Sequence, residues 1–268
     1  MAESGGLPSM NVPKLSELSA AAVKSAVAKA PITDYPMLSE ALAMDSRKAV
    51  QSLGMKLKRD YEKYQTALAK TQEMLEIERQ LRQKGYHAIC GLDEVGRGPL
   101  AGPVVCAAVI MPPESQLLYV DDSKKLSAKK REILAEQIRE EALAWSIGIK
   151  SPETIDAINI LQATKSAMGD AVEALTIVPD LLLIDALEIP SAIPVESVIH
   201  GDARCYSIAA ASILAKVYRD ELMCGYDDVY PEYGFARNMG YGTAEHIAAL
   251  KAYGPTSIHR QSFIQNFR

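Results

Sequence analysis

Short apolar runs and helical patterns follow one another from residue 86 to the end of the chain. The apolar runs predict strands over residues 86–92, 103–111, 143–149, 180–185 and 195–200. Apolar residues at helical spacing predict helices over residues 127–142, 151–175, 205–224 and 243–253. Strands followed by strands, and then strands alternating with helices, are typical of an α/β sheet covered by helices. We therefore predict an α/β domain over residues 85–268.

Residues 1–84 show helical spacing and no strand pattern. The segment KLSELSAAAVKSAVAKA predicts a short helix over residues 14–30 that stops at Pro31. Residues 45–84 predict one long helix, or two helices joined near Gly54. This part of the chain is therefore predicted to be a helical extension that precedes the α/β domain.

The composition is that of a globular protein and gives no sign of a membrane protein. Hydrophobic residues make up 48% and charged residues 24% of the chain. No apolar run approaches the roughly 18 residues that a membrane-spanning helix needs, and the first residues lack the pattern of a secretory signal. The four cysteines form no C-x-x-C pair, which argues against a zinc or redox site. We therefore expect a cytoplasmic protein with no membrane partner.

Charge is distributed unevenly along the chain, although the net charge is −5. Residues 1–90 contain 13 Lys and Arg against 10 Asp and Glu, a net charge of +3, and the remaining residues contain 16 against 24, a net charge of −8. Six of the basic residues lie over residues 47–63 together with tyrosines. Such a face can lie along a phosphate backbone, and a solvated helix face of mixed charge is the alternative. The extension is therefore a candidate nucleic-acid contact.

Acidic residues stand at or just after the ends of three predicted strands. They are Asp93 and Glu94 after the first strand, Asp185 at the end of the fourth and Asp202 just after the fifth. If these strands lie parallel, their carboxyl ends meet at one edge of the sheet, where α/β sheets place ligands. A carboxylate cluster needs cations to neutralise it, or must stay partly protonated, and oxygen ligands without His or Cys favour Mg²⁺ or Mn²⁺. Each acid taken alone is better explained as a turn residue or a helix cap, and it is the adjacent pair before the glycine turn that favours a metal site.

The adjacent positions of Asp93 and Glu94 raise a geometrical question. Neighbouring residues of a regular strand point to opposite faces of the sheet. Either the strand bends at the glycine turn that follows, where Gly96 and Gly98 allow a bend, or one of the two acids binds through its main-chain carbonyl.

Several segments resemble ribonuclease HII, in the order in which that family carries them. The run GLDEVGRGPLAGPVVCAAVI resembles the opening motif of the family. Further similar segments are DDSKKLSAKKRE (121–132), INILQATKSAM (158–168), LLIDA (182–186), GDARCYSIAAASILAKVYRD (201–220), MGYGT (239–243) and GPTSIHRQSF (254–263). The resemblance covers about residues 86–263. It implies a ribonuclease H-like fold, a mixed five-stranded sheet flanked by helices, with the all-α extension in front of it.

The resemblance also implies an activity and a metal site. It implies an endonuclease that hydrolyses the RNA strand of RNA–DNA hybrids and nicks duplex DNA 5′ of single embedded ribonucleotides, leaving 5′-phosphate and 3′-hydroxyl ends. The four catalytic acids of the family correspond to Asp93, Glu94, Asp185 and Asp202. In the family these acids bind two Mg²⁺ or Mn²⁺ ions during catalysis.

Two further motifs are implied to contact the substrate. The GRG motif of the family corresponds to Gly96, Arg97 and Gly98, whose glycines let the backbone approach the 2′-hydroxyl that distinguishes RNA from DNA. The tyrosine of GYGT corresponds to Tyr241, which is implied to stack on the sugar next to the cut. Many family members have His-Lys before GYGT, whereas this sequence has Asn238 and Met239. A lysine that could contact phosphate is therefore absent, and the basic extension is the candidate to compensate for it.

Three alternatives to a ribonuclease HII-like enzyme can be weighed on the sequence. Ribonuclease HIII carries a strand-rich N-terminal domain, which the helical pattern here does not fit. A protein that only binds hybrids would gain nothing from a cluster of four acids. A phosphate-binding loop is disfavoured because GRGPLAG lacks the pattern G-x-x-x-x-G-K-[ST]. We therefore predict a metal-dependent nuclease that acts as a monomer on RNA–DNA hybrids and on ribonucleotide-containing duplex DNA.

Overall fold

Helices make up the first of two compact units, which divide between Lys70 and Thr71. The computed structural model describes residue 15 and residues 17–267. The helices of the first unit are α1 (Ala20–Val27), α2 (Tyr35–Ala43) and most of α3 (Lys48–Met74). Their apolar sides bury Val23, Val27, Leu38, Leu42, Val50 and Leu57 in a small core. The described part of this unit contains no strand, as the sequence predicts.

The helix boundaries here differ from the prediction. The helix expected over residues 14–30 is shorter and spans Ala20–Val27, and positions 14 and 16 lie outside the described residues. The short helix α2 was not predicted, because its nine residues include Pro36 and too few turns to show a period.

The expected joint at Gly54 is wrong, and the long helix breaks elsewhere. The carbonyl of Gly54 accepts a hydrogen bond from Ser39 Oγ at 2.9 Å, so the helix passes this glycine in close contact with α2. The helix ends at Met74 instead, and α4 (Glu76–Gln83) begins after Leu75. Packing against a neighbouring helix therefore outweighs the low helix propensity of the glycine.

The second unit is built on a five-stranded mixed sheet with the strand order β3-β2-β1-β4-β5. Its strands are β1 (Ile89–Val95), β2 (Val104–Ile110), β3 (Ala144–Lys150), β4 (Leu181–Asp185) and β5 (Val195–Val198). The first three strands are antiparallel neighbours, whereas β4 pairs in parallel with both β1 and β5. Four strands lie within two residues of their predicted bounds. β1 begins and ends three residues later than predicted, so Asp93 and Glu94 lie inside it rather than after it, because the apolar run that predicts the strand stops at the first charged residue. The architecture confirms the predicted ribonuclease H-like sheet.

Helices cover both faces of this sheet. After α4 they are α5 (Ala128–Glu141), α6 (Pro152–Glu173), α7 (Gly201–Arg204), α8 (Tyr206–Val229), α9 (Phe235–Asn238) and α10 (Ala244–Tyr253). One face packs mainly against α8 and α5, and the other packs against α6. No helix in residue 15 and residues 17–267 is long and apolar enough to cross a membrane.

The start of α8 lies directly on β1. A Cβ atom added to Gly91 would lie 2.2 Å from the main-chain carbon of Ser207, so only glycine permits this approach. The next turns of α8 continue with the buried small residues Ala209, Ala210 and Ala211. The strand that carries two of the acids is therefore in main-chain contact with the helix that follows the fourth acid.

Candidate active site

Three parallel strands bring four carboxylates toward one edge of the sheet. Asp93 and Glu94 lie in β1, and Asp185 is the last residue of β4. Asp202 is the second residue of α7, which begins shortly after β5. Because β1, β4 and β5 are parallel, their carboxyl ends point the same way, which is the arrangement that the sequence argument requires.

The strand does not bend between the two neighbouring acids. Asp93, Glu94 and Val95 pair in continuous register with three consecutive residues of β2. The bend lies beyond them, at Gly96, so it does not turn both side chains to one face. Ser212 of α8 accordingly lies close enough to Asp93 to lower the pKa of that carboxyl, whereas Arg97 Nη1 donates to Glu94 Oε1 at 3.2 Å.

A main-chain hydrogen bond ties the remaining two acids together. The N–H of Gly201 donates to Asp185 Oδ1 at 2.8 Å. Asp185 thereby satisfies the first free N–H group of α7, which carries Asp202 as its next residue. The position of Asp202 is therefore set by Asp185 through one bond and one residue of chain.

Burial makes the charged forms of the β1 acids costly. Burial raises the pKa of Asp93 well above its ordinary value, and the charges of Glu94 and Asp185 raise it further, against the hydrogen bond from Ser212. Burial also raises the pKa of Glu94, and the nearby Arg97 opposes that shift. The two acids therefore favour a state in which positive charge lies close to them.

Basic side chains supply part of that positive charge. Arg97 pairs with Glu94, and Lys124 Nζ lies 3.3 Å from Asp202 Oδ2. Both basic side chains are substantially exposed, at 43% and 79%. They therefore only partly neutralise the acidic edge, because exposed ion pairs are weak.

The donor set fits a hard divalent cation. It consists of oxygen atoms only, and these suit Mg²⁺ or Mn²⁺. Because β1 stays regular through Asp93 and Glu94, one of these two acids would reach a shared ion through its main-chain carbonyl rather than its carboxylate. Glu94 Oε2 is buried and has no hydrogen-bond partner within the described part of the chain, so one oxygen of this set is open to a ligand. With Glu94 and Asp202 paired to Arg97 and Lys124, no three acidic, His or Cys side chains of the described residues are arranged as a metal-binding group. To hold an ion, these carboxylates would turn away from their basic partners.

The GRG loop follows directly after the acids and is tightly enclosed. Gly96 has a φ of +91°, and a Cβ atom there would lie 2.2 Å from Arg219 Nε. A Cβ atom on Gly98 would lie 3.7 Å from Tyr241 Cε1, so the loop and the tyrosine are in contact distance. Arg97 and Gly98 are exposed residues, and their main-chain N–H groups donate no hydrogen bond to another described residue. The structure therefore brings the predicted substrate-contacting residues together.

A fully buried arginine, Arg260, holds this loop. Its Nη1 and Nη2 donate to the carbonyls of Arg97 and Gly96, and its Nε and Nη2 donate to Gly102 O at 2.9 and 2.8 Å. Burial lowers the pKa of Arg260 to about 9. No sequence pattern singles out this arginine as a functional residue, although it lies in the segment GPTSIHRQSF.

A second buried arginine, Arg219 of α8, joins the same loop to the GYGT segment. It donates to the carbonyls of Pro103 at 3.0 Å, Ala101 at 3.1 Å and Met239 at 2.9 Å. Burial lowers the pKa of Arg219 to about 10. The two guanidinium groups therefore order the main chain from Gly96 to Pro103.

Two buried histidines support Tyr241 through a chain of hydrogen bonds. Thr256 N–H donates to His259 Nδ1, so the proton of His259 lies on Nε2, which is 3.0 Å from His246 Nε2. The remaining nitrogen of His246, Nδ1, then donates to the carbonyl of Tyr241 at 2.9 Å. Burial lowers the pKa of His246, and burial with the charge of His246 lowers the pKa of His259 to about 4. This chain is complete when both rings are neutral.

The departure at Asn238 has a structural role. Its Nδ2 donates to Tyr233 O at 2.7 Å, and its Oδ1 accepts from Gly240 N–H at 2.8 Å. The buried amide of Asn238 therefore stabilises the turn that precedes Tyr241. Within this turn Met239 adopts a φ of +50°.

Comparisons with known proteins agree with this fold. The Ribonuclease HII family matches residues 90–266, and the Ribonuclease HII N-terminal domain family matches residues 19–82. Ribonuclease HII of Lactobacillus johnsonii is 52% identical over 84% of this chain and 89% of its own, and that of Enterococcus faecalis is 58% identical over 71% and 75%. A solved PCNA:RNase HII complex from Archaeoglobus fulgidus has a TM-score of 0.58 at 27% identity and covers 67% of this chain and 96% of that chain.

The family match extends over most of the chain and includes the segments that form the acidic edge, the GRG loop and the GYGT turn. The match to the Ribonuclease HII N-terminal domain covers residues 19–82, which are helical in this structure and include no strand. The chain therefore belongs to the ribonuclease HII family and is a ribonuclease H, an endonuclease of RNA–DNA hybrids.

Proposed function

We propose that this ribonuclease H also nicks duplex DNA 5′ of single embedded ribonucleotides, using Mg²⁺ or Mn²⁺ held by Asp93, Glu94, Asp185 and Asp202. One observation supports the proposal most strongly. Three parallel strands place four acidic residues at one edge of the sheet, beside the enclosed GRG loop. Two bound divalent ions would stabilise both the attacking and the leaving oxygen of an in-line displacement at phosphorus. A monomeric state and a cytoplasmic location stay predictions.

The protein's own residues would orient the scissile phosphate and leave a 5′-phosphate and a 3′-hydroxyl. Asp185 holds the first N–H of α7 and so keeps Asp202 at the edge of the sheet. Lys124 and Arg97 are exposed beside two of the acids. Once cations replace them there, both basic groups would be free to contact the phosphates of the duplex.

Recognition of the ribonucleotide would rest on the GRG loop and Tyr241. The unpaired N–H groups of Arg97 and Gly98 are exposed donors for a 2′-hydroxyl. Tyr241 is 45% exposed and lies next to Gly98, where its ring could stack on the adjoining deoxyribose. Because Arg260 fixes the loop carbonyls, the donors are held in place before substrate binds.

The proposal predicts a single cut in a DNA duplex that contains one ribonucleotide. Wild-type protein with Mg²⁺ or Mn²⁺ should cut 5′ of the ribonucleotide, and EDTA or Asp185→Asn should abolish the cut. An all-DNA duplex is the control for contaminating nucleases, and a long RNA–DNA hybrid reports general activity. Cleavage of the hybrid without the single-ribonucleotide cut would contradict the proposed specificity and indicate a substrate range like that of ribonuclease HIII. Equal cleavage in EDTA would contradict the metal site.

The helical extension is proposed to bind the phosphate backbone of the substrate. Lys48, Lys56, Arg59 and Lys63 of α3 are exposed, and within residue 15 and residues 17–267 none of them forms an ion pair. At 100° per residue these four positions lie within about 80° of one another around the helix. They therefore form one positively charged face, as a contact with a phosphate backbone requires.

Removing this face should weaken the salt dependence of hybrid binding. For the combined variant Lys56→Gln, Arg59→Gln, Lys63→Gln, we expect the slope of log affinity against log salt to fall in magnitude by about 2–3, since each phosphate contact contributes about 0.7–0.9. Binding would be measured by fluorescence anisotropy in EDTA at several salt concentrations. The variant Lys29→Gln, Lys84→Gln, Lys251→Gln removes the same charge from other exposed positions and should change the slope less. Equal slopes for the two variants would contradict a role for α3.

A further inference from the structure

Glu78 is a buried carboxylate that the site as described does not use. It lies in α4 and is 2% exposed. Its Oε1 accepts a hydrogen bond from the main-chain N–H of Ser207 at 2.7 Å, and the Cys205 thiol lies 3.4 Å from the same oxygen. The partners are 129 and 127 residues away in sequence, so this is a tertiary contact.

The contact closes the first turn of α8. The residue before this helix, Cys205, makes no side-chain capping hydrogen bond to it. Glu78 takes that place from another helix, because it accepts from one of the free N–H groups at the start of α8. Its negative charge lies at the positive end of the helix, where such a charge is favourable. Arg82, one turn later in α4, lies 3.7 Å from the other carboxylate oxygen and balances the charge.

The start of α8 is joined to three of the four acids. Cys205 N–H donates to Gly201 O at 2.8 Å, which connects the helix start to the segment that carries Asp202. Gly201 N–H is the donor to Asp185. One and a half turns into α8, the buried Ser212 lies close enough to Asp93 to lower the pKa of that carboxyl. A shift of the first turn of α8 would therefore move groups that contact the acids from two sides.

We propose that Glu78 is a positioning residue of the active site, which fixes the start of α8 and through it Asp202 and Ser212. The inference rests on the proposed function in that it takes the four acids as metal ligands. It assigns a role to a residue that precedes the α/β domain and lies in the segment matched by the N-terminal family. The helix is positioned by a side-chain oxygen at position 78 that can accept from the N–H of Ser207, rather than by negative charge alone.

Three substitutions separate geometry from charge. Glu78→Gln keeps an oxygen that can accept from Ser207, whereas Glu78→Asp keeps the charge but shortens the side chain by one methylene. Glu78→Ala removes both. Glu76→Ala is the matched control, because Glu76 lies in the same helix with its side chain 57% exposed.

The variants would be compared by Mn²⁺ binding without substrate, by hydrogen exchange over residues 199–208 in EDTA, and by kcat on a hybrid. We expect Glu78→Ala and Glu78→Asp to bind Mn²⁺ about tenfold more weakly, to exchange faster over residues 199–208 and to have a lower kcat. Glu78→Gln should stay within about threefold of wild type, and Glu76→Ala should match it. If Glu78→Ala does not fold, the comparison of Glu78→Asp with Glu78→Gln carries the test.

A merely structural role would have a different result. Lower melting temperatures with unchanged Mn²⁺ binding, unchanged kcat and unchanged exchange over residues 199–208 would overturn the inference, as would a Glu78→Asp protein that equals Glu78→Gln in all three. Wild-type protein that fails to cut any hybrid would contradict the proposed function instead. The exchange measurement in EDTA would still decide the role of Glu78, because it needs neither metal nor substrate.

Discussion

Asp93→Asn should make the metal-free protein more stable while abolishing its activity. Burial, followed by the charges of Glu94 and Asp185, raises the pKa of Asp93, so its ionised form destabilises the fold at neutral pH. Asparagine has nearly the same shape and no charge, and we expect a melting temperature a few degrees higher in EDTA. Cleavage should fall by about a thousandfold, which corresponds to about 4 kcal/mol of transition-state stabilisation.

The same substitution should change the pH dependence of stability. Because the folded-state pKa of Asp93 lies above the unfolded value, its ionisation costs stability above the folded-state pKa. The cost is relieved as the pH falls from the folded-state pKa to the unfolded value. Wild-type protein in EDTA should therefore gain stability from Asp93 over that range, and Asp93→Asn should lack this gain. Thermal unfolding at several pH values measures both effects.

Asp156→Asn is a matched control of opposite sign. Although burial raises the pKa of Asp156, hydrogen bonds from Ser262 and Gln261 lower it overall. This carboxylate therefore stabilises the fold above the unfolded pKa, and its replacement should lower the melting temperature at neutral pH. A lower melting temperature for Asp93→Asn in EDTA would contradict the electrostatic account of the acidic edge.

Arg260→Lys should cause the largest loss of stability among conservative substitutions near the site. The arginine donates to three different carbonyls, and a lysine ammonium cannot reproduce that planar arrangement. Loss of two charge-assisted hydrogen bonds would lower the free energy of unfolding by about 3–5 kcal/mol. Urea unfolding measures this change.

Arg260→Lys should also reduce recognition of a single ribonucleotide more than it reduces metal affinity. Because Arg260 holds the GRG loop and contacts none of the four acids, cutting at a single ribonucleotide should fall more than Mn²⁺ affinity. Arg237→Lys is the control, since Arg237 is exposed and pairs with exposed Glu245; it should change stability by less than about 0.5 kcal/mol. Similar losses for both variants would show that the buried bonds to the loop carry no special weight.

The sheet and its acids were predictable because their signal is local. Each strand is a short apolar run, and the position of Asp185 at the end of such a run follows from the letters alone. The course of the long helix could not be predicted in the same way. The helix continues through Gly54 because of a contact with a residue 15 positions away in sequence, and it breaks at Leu75 instead.

Arg260, Arg219 and Glu78 were beyond the reach of sequence patterns for a shared reason. Charged residues are rarely buried, so a pattern assigns them to the surface. Their partners here are main-chain carbonyl and N–H groups, which every residue type offers. The two arginines therefore leave no complementary charge in the sequence to reveal them, and the pairing of Glu78 with Arg82 four residues later has the spacing of an ordinary exposed helix pair.

The pairing of β1 on both of its edges constrains how chain length can vary in this protein. β1 pairs with β2 on one side and with β4 on the other, and its Gly91 packs against the main chain of α8 on one face of the sheet. Inserting or deleting one residue between Gly91 and Asp93 would exchange the faces of the two acids, because strand residues alternate. Spacing between the glycine and the first acid is therefore as strict a requirement on this strand as the identity of either residue.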